Sequence, residues 1–515
     1  MSLLPLIESI VKNLLDRLEK HFSIVILALV TLTFCAVFIG RIDKVYQQKM
    51  DMGGIEYAII YGLQLVMDEG IIYEHPESSP YSVIQYSPLY YYFLAVPGKL
   101  WGVDTNDVDA VFRLSRSVSL FFNLGFILFG FLIARRHFQI NWVPAAILAG
   151  LNFILLDTQS FSRPDSLYSI FFMVSIFYLL RMPEAQSQGK SIRLAILLGL
   201  WVSITIFAKQ SGIILPVLIL FLLIFLSQDF KSCLFFLLSL SISGVIGWGI
   251  LLATGNEGIY ENAVMGIQNG INLGWFWRVM VLQYFFTIKG AILTSIMLFS
   301  GISLIIKERE KEKILGYSIL ALWAFALVTS LKNGATPSYF TECLMLAFIG
   351  LFHSASFKIP KLFLLLAFTI YCAGVISFTG AHNFLLSREK PNPEASLFQN
   401  AQLVQDYFAE KRKAEGSKPI LNLAPNYIID LSIYDQSLFP IKSVVDHCVI
   451  PLQTFTYENY HEQMTACEQF YLVVEKGKTP PYNYIGVSYQ PSSPADTVGD
   501  LLIYSLSGKM ITLTQ

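Results

Sequence analysis

The sequence predicts a mainly α-helical polytopic membrane protein: about eleven transmembrane helices, N-terminus in, C-terminus out, followed by a small α/β domain outside the membrane. Three observations predict it. Of 515 residues, 54% are hydrophobic and only 14% charged, with a mean hydropathy of +0.55, well to the apolar side of a soluble globular chain. The apolar residues gather in runs near the ~20 needed to cross a bilayer. Lys and Arg collect in alternate connections between those runs, as they do in cytoplasmic loops.

Residues 3–18 place Leu3, Leu4, Ile7, Ile10, Val11, Leu14, Leu15 and Leu18 at helical spacing among Glu8, Lys12, Asp16, Arg17 and Lys20. Region 1–21 is therefore expected to be a cytoplasmic amphipathic helix on the membrane surface. The first span, Phe22 to Gly40, is too long for a signal-peptide core and lacks a small-residue cleavage site, so it reads as an uncleaved anchor. Further spans are read at 117–134, 142–156, 166–180, 192–208, 212–227, 232–253, 284–306, 314–331, 339–353 and 361–379. Between the first two lies a long aromatic and acidic connection, 41–116, and an insertion of that length in a helical bundle usually carries function.

With the N-terminus inside, the inner connections hold Arg135 and Arg136, then Arg181, Lys190 and Arg193, then Lys231, the 307–313 charge run, and Lys358 with Lys361. The outer ends hold isolated cations such as Arg163, Lys209 and Lys332. This sidedness puts the 41–116 loop, the 157–165 turn, the 254–283 loop and everything after about 380 outside. Residues 381–515 gain Pro, Asn, Gln and charge, with a helix at 394–414 and strand-like runs at 420–423, 470–474 and 501–505. Within the 254–283 loop, the stretch from Gly255 to Trp277, rich in Gly, Asn and aromatic residues, reads as a mobile substrate-contacting element or as an irregular loop without function.

A net charge of −1 provides no basic footprint, so nucleic acid is excluded as a partner. Six cysteines show no metal or redox spacing; Cys448 and Cys467, in the outer region, are the pair an oxidising compartment would either join or leave free. The seven histidines also lack metal spacing; a divalent cation is compatible with the sequence but nothing specifies one. Asp107 and Asp109 mimic the acidic pair of nucleotide-sugar enzymes, yet they directly precede the Arg113 helix and read better as an N-terminal charge pair.

The candidate site residues are polar and fall on the outer side. Gly53 and Gly54 separate Asp51 from Glu56, so a turn at Asp51 followed by a helix from about Ile55 to Glu69 is expected. Asp165 follows Pro164 at the edge of an apolar span, where it either caps a helix or meets a partner, because an unpaired charge at depth costs ~2.5–3.5 kcal/mol. Lys209 and Gln210 interrupt two spans against the positive-inside bias, so Lys209 is either a snorkelling cation or a phosphate ligand. Arg113 and Arg116, three apart, share a helical face suited to a phosphate or carboxylate. Glu342, beside Tyr339, puts a carboxylate one turn into a span, to be matched by a cation or used in the site.

The order and common sidedness of Asp51 with Glu56, Tyr86-Ser-Pro88-Leu89-Tyr90, Arg113-Leu-Ser-Arg116, Ser162-Arg163-Pro164-Asp165, Lys209-Gln210-Ser-Gly212 and Tyr339-Phe340-Thr-Glu342 resemble the C-type (GT-C) membrane glycosyltransferases. Within them the chain is most similar to the branch of the protein O-mannosyltransferases and the lipid A aminoarabinose transferase, over most of residues 20–380. The resemblance implies a GT-C transmembrane domain over 22–380 with a catalytic outer loop at 41–116, in a bacterial inner (plasma) membrane. It implies transfer of a sugar from a polyprenyl-phosphate donor to a lipid, glycan or other acceptor at the outer leaflet, with inversion.

By position, Asp51 matches the general base, Glu56 its runner-up and Asp165 the second acidic site. Arg113, Arg116, Arg163 and Lys209 are the cations available to the departing phosphate. Gln210, Tyr339, Glu342 and Tyr86 complete the expected substrate contacts. Asp51 lacks the adjacent Glu of the O-mannosyltransferases, which argues against protein hydroxyl acceptors. The chief alternative is a transporter or flippase of lipid-linked saccharides, but such proteins place polar sites near the midplane, often with internal repeats.

Overall fold

The computed structural model describes residues 22–46, 55–76, 83–156, 162–267, 270–332 and 334–354, together with parts of 403–414 and the strands between 420 and 512. In chain order the helices are α1 (Phe22–Tyr46), α2 (Ile55–Asp68), α3 (Leu89–Trp101), α4 (Val108–His137), α5 (Trp142–Leu155), α6 (Pro164–Leu179), α7 (Met182–Ser187) and α8 (Ser191–Ala208). They continue as α9 (Ile214–Phe221), α10 (Phe230–Ala253), α11 (Ile259–Ala263), α12 (Leu273–Trp275), α13 (Ile288–Ile305), α14 (Glu310–Thr329) and α15 (Thr341–Ser354).

Among the described residues, seven helical segments are long and apolar enough to cross a membrane: Ile24–Tyr46, Val108–His137, Pro164–Ser187, Ser191–Ala208, Phe230–Ala253, Ile288–Ile305 and Glu310–Thr329. The span expected at 142–156 falls on α5, 14 residues long; at 1.5 Å per residue it reaches about 21 Å, short of the ~30 Å hydrocarbon core. The span expected at 339–353 falls on α15, which is described as far as Ser354. The span expected at 212–227 falls on a shorter apolar segment, Gln210–Leu226, that passes through 3₁₀, α and π turns. The expected N-terminal helix at 3–18, the span at 361–379, Cys448 and Cys467 lie outside the described residues.

Local chemistry sets the helix starts. Asp107 accepts from Ala110 N at 3.0 Å and caps α4, with Asp109 in its first turn, which is the charge-pair reading of these two carboxylates. Asp229 caps α10 in the same way, accepting from Ser232 N at 3.0 Å. Pro164 occupies the first turn of α6, where its missing N–H costs nothing. Gly199 lets α8 and α10 cross closely: a Cβ there would come within 2.7 Å of the Phe236 carbonyl.

The two sets of connections separated by charge meet at opposite ends of the bundle. At one end Lys311 pairs with Glu184, Ser227 donates to Glu310 at 2.6 Å, and His353 lies 2.6 Å from Glu312. The other end carries Glu56, Arg116, Asp165, Lys209 and Glu342. Towards the C-terminus a four-stranded sheet runs in the order β1 (Ile420–Asn422), β2 (Gln469–Glu475), β4 (Leu501–Ser507), β3 (Asp496–Val498); β1 pairs parallel to β2 and the other pairs are antiparallel. β1, β2 and β4 coincide with the three runs read from sequence. Phe408, on the helical stretch before them, packs on Tyr471 with ring centroids 5.3 Å apart.

Candidate functional site

Asp165 stands in the first turn of α6, and Lys209 closes α8, taking an extended conformation immediately after the last helical residue. Antiparallel packing of these two helices brings the ends together: Lys209 Nζ lies 2.6 Å from Asp165 Oδ1, with side-chain exposures of 12% and 11%. Both charges are nearly desolvated, so each depends on the other. Burial works against the Lys209 charge, but Asp165 beside it more than offsets this and holds the ammonium above its usual pKa. Its Nζ also sits 5.4 Å from the centre of the Tyr339 ring and 5.9 Å from that of Tyr168.

Arg163, one residue before Pro164, is within electrostatic reach of Asp165, Tyr86 and Tyr339. Burial pushes the Tyr86 phenol well above its usual pKa, with Arg163 and Lys209 pulling it back, so Tyr86 presents a neutral O–H to this cluster. Glu342, at the start of α15, is buried and accepts from Ser169 Oγ, one turn into α6. Its direct partner is thus a hydroxyl rather than the neighbouring-helix cation that charge pairing alone suggests; Lys209 is in electrostatic reach. Asp165, Lys209, Arg163, Tyr86, Tyr339 and Glu342 therefore form one cluster contributed by four separate stretches of chain.

Other candidates are placed differently. Glu56 and Arg116 form a bidentate pair, Arg116 Nε and Nη2 each 2.7 Å from a carboxylate oxygen, with both side chains 1% exposed. Glu56 Oε1 also accepts from Ser162 N at 2.9 Å, and Arg116 donates to the Lys44 carbonyl at 3.0 Å. Both oxygens of Glu56 are occupied, which argues for a lock holding α1, α2, α4 and the 162–165 turn together over the runner-up-base reading. Arg113 does not share this environment: its side chain is 52% exposed, 3.9 Å from Asp109 and over the Tyr46 ring. Helical spacing put the two arginines near one face, but only Arg116 points inward. Gln210 donates its amide to the Gln85 carbonyl at 2.7 Å and the Ala263 carbonyl at 3.1 Å, so it braces the loop that bears Tyr86. Asp51 lies outside the described residues.

The stretch from Gly255 to Trp277 contains α11 and α12 and leads into a π-helical stretch, Phe276–Phe285, and it is pinned to the first long loop by two buried asparagines. Asn256 Oδ1 accepts from Ile72 N and Tyr73 N at 2.7 and 3.1 Å, while Asn262 accepts from Ile84 N at 2.8 Å and donates to the Glu74 carbonyl at 2.6 Å. A Cβ at Gly258 would collide with that same Glu74 carbonyl. These asparagines, with Ser169 and Tyr168, are site-supporting residues that sequence reading missed; Ser162 was read only as part of its motif, without a role. The available signal was Asn in an aromatic loop, which specifies no partner.

Arg41 supplies a further brace, donating to the Phe153 and Leu156 carbonyls at 2.8 and 2.7 Å and stacking on the Phe153 ring at 4.1 Å. It satisfies carbonyls at the end of α5, directly before the 157–165 turn.

Neither a family model nor a curated protein matches the chain. Solved structures do. The chain is similar to ArnT from Cupriavidus metallidurans bound to undecaprenyl phosphate, at 13% identity and a TM-score of 0.58, over 93% of this chain and 97% of that one. It is also similar to the Archaeoglobus fulgidus oligosaccharyltransferase in its apo form, at 12% identity and a TM-score of 0.51, over 87% of this chain and 69% of that one. A third structure, archaeal AglB from Archaeoglobus fulgidus in complex with an inhibitory peptide and a dolichol-phosphate, matches at 10% identity and a TM-score of 0.51, over 89% and 70% of the two chains. At these identities the likeness is one of fold.

Proposed function

We propose, from the premise that this chain has the GT-C membrane glycosyltransferase fold, that it transfers a sugar from a polyprenyl-phosphate carrier to a lipid, glycan or other acceptor at the outer face of the membrane, with inversion. The observation that carries the reading is the buried Asp165–Lys209 pair, set with Arg163 at the end of the bundle where the long first loop returns. Two cations face one carboxylate there, with Glu342 tied to a hydroxyl nearby. Two of the similar structures are complexes with undecaprenyl phosphate and dolichol-phosphate. The same class of carrier suits a cationic cluster at the end of an apolar bundle.

In this reading Asp51 takes the proton of the acceptor hydroxyl while the sugar carbon is attacked from the face opposite the phosphate. Negative charge then grows on the leaving phosphate, and Lys209 with Arg163 stabilises it more in the transition state than in the ground state. Asp165 keeps Lys209 charged and aimed until the phosphate arrives. Tyr86 and Tyr339 offer phenol groups beside that position. Glu56 and Arg116 hold the turn from which Arg163 and Asp165 project.

The test is to incubate the purified protein with a panel of polyprenyl-phosphate sugars and measure release of the lipid phosphate. Release from at least one donor, lost in Asp51→Asn with expression and membrane insertion retained, is the expected result. Translocation of a lipid-linked saccharide across vesicles without any release would instead support the flippase.

A further inference from the structure

The stretch 271–288 has an exposed surface divided along its length. A helix bonded i→i+5 takes more than four residues per turn, so side chains spaced four and five apart stack into a stripe. Over α12 and the π-helical stretch this aligns Leu273, Trp277, Leu282 and Phe286, which are 67%, 58%, 51% and 76% exposed. Beside them runs a second exposed stripe of Arg278, Gln283 and Thr287. In an α-helix these spacings would drift around the axis; the wider helix turns them into adjoining apolar and polar halves.

The opposite face is fastened to the protein. Asn272 N donates to the Leu331 carbonyl at 2.9 Å, Trp275 Nε1 donates to the Ala335 carbonyl at 2.8 Å, and Met280 is fully buried. Tyr284 stacks on Phe340 at 5.7 Å and Phe285 meets it edge-on at 5.8 Å. The exposed apolar stripe is thus a fixed feature. Leaving four such side chains in water is unfavourable relative to covering them with an apolar surface.

What covers the stripe follows from its continuity. The stretch runs through the Thr287 cap into α13, a candidate span, and the exposed apolar surface continues there as Ile288, Ile292, Phe299 and Ile302. Arg278, stacked on Trp275 at 5.1 Å, and Lys289 flank the stripe where a spanning helix meets lipid headgroups. We propose that residues 271–288 lie in the plane of the bilayer interface, with Leu273, Trp277, Leu282 and Phe286 in the acyl–headgroup boundary and Arg278, Gln283 and Thr287 facing water. The partner of this surface is lipid. Through Phe340 the element adjoins Tyr339, so the level of the bilayer sets one wall of the charged cluster.

The test uses the full chain in lipid nanodiscs, with Trp277→Phe as parent. Leu282→Trp and Gln283→Trp are added separately; both positions are exposed, so neither substitution enters the core. Emission is compared in ordinary lipid and in lipid brominated at a shallow acyl position. The proposal expects the tryptophan added at 282 to be quenched at least about twofold more than the one added at 283. Equal quenching at both positions would overturn it. Emission from 282 that is shielded from water yet unaffected by bromine would also overturn it, assigning the stripe to a protein partner such as a second copy. The readout involves no donor or acceptor and stands or falls apart from the proposed reaction.

Discussion

Lys209 Nζ lies 2.6 Å from Asp165 Oδ1 although 44 residues separate them, and this contact joins the last residue after one helix to the first turn of another. In the proposed reaction, truncating Lys209 removes a charge-assisted partner of the donor phosphate, and it leaves Asp165 buried without its ion-pair partner. Lys209→Ala is expected to weaken polyprenyl-phosphate-sugar use by roughly 10- to 100-fold, from ~1.5–3 kcal/mol for one hydrogen bond to a charged group. Acceptor dependence should change less. Steady-state kinetics with donor and acceptor varied separately check this, and Lys209→Arg should recover part of the loss.

The same pair bears on pH. The folded-state pKa of Lys209 is raised above its usual 10.5. A group of this kind contributes stability that is fully present below the unfolded value and is lost as pH rises through the folded one. Lys209 therefore remains charged across the neutral range, and donor binding should show no alkaline loss below about pH 10 that Lys209→Arg removes. A pH series of donor binding to the wild type and to that variant measures it.

Glu56 and Arg116 are the most deeply buried ion pair among the described residues, and their removal one at a time leaves a bare charge in the bundle. Glu56→Ala or Arg116→Ala should destabilise the protein by ~3–5 kcal/mol, more than the double substitution to Gln and Leu, which leaves neither charge. Thermal unfolding in detergent, followed by loss of the monodisperse protein peak, reads the difference. Arg113→Ala, at a half-exposed pair, should shift stability by less than ~1 kcal/mol in the same assay.

Asn262 bonds the backbone of two parts of the first long loop, at Ile84 N and Glu74 O. Asn262→Leu should speed hydrogen exchange at the Ile84 amide and lower transfer activity without touching the charged cluster. Leaving one buried donor or acceptor unpaired costs ~1–3 kcal/mol, enough to open the loop locally. Protection at 72 and 73 retained by Asn256 while protection at 84 is lost would separate the contributions of the two asparagines.

The fold was legible because its cause is spread over many residues. Apolar runs need only length and composition to be recognised, and α2, Ile55–Asp68, falls within the stretch 55–69 expected to be helical. Strands at 420–422, 469–475 and 501–507 announced themselves by short apolar runs between polar turns. The length of α5 was harder to read: it stops short of a full crossing because a buried segment can be apolar whether or not it reaches both faces. The site was legible as a list of residue types but not as a set of partners. Arg113 and Arg116 looked alike, yet three residues along the helix separate an exposed cation from one enclosed by Glu56, Ser162 and Lys44.

By itself the sequence determined the membrane character, most of the helices, the sorting of its connections into two groups, and the candidate carboxylates and cations. These depend on transfer of side chains between water and lipid, which each residue carries with it. Only the tertiary structure decided that Lys209 pairs with Asp165, that Arg116 is committed to Glu56, that Glu342 meets Ser169, and that Asn256 and Asn262 hold the loop beside them. Those choices depend on distances of a few ångströms between residues far apart in the chain, where a buried charge takes the nearest partner that packing offers.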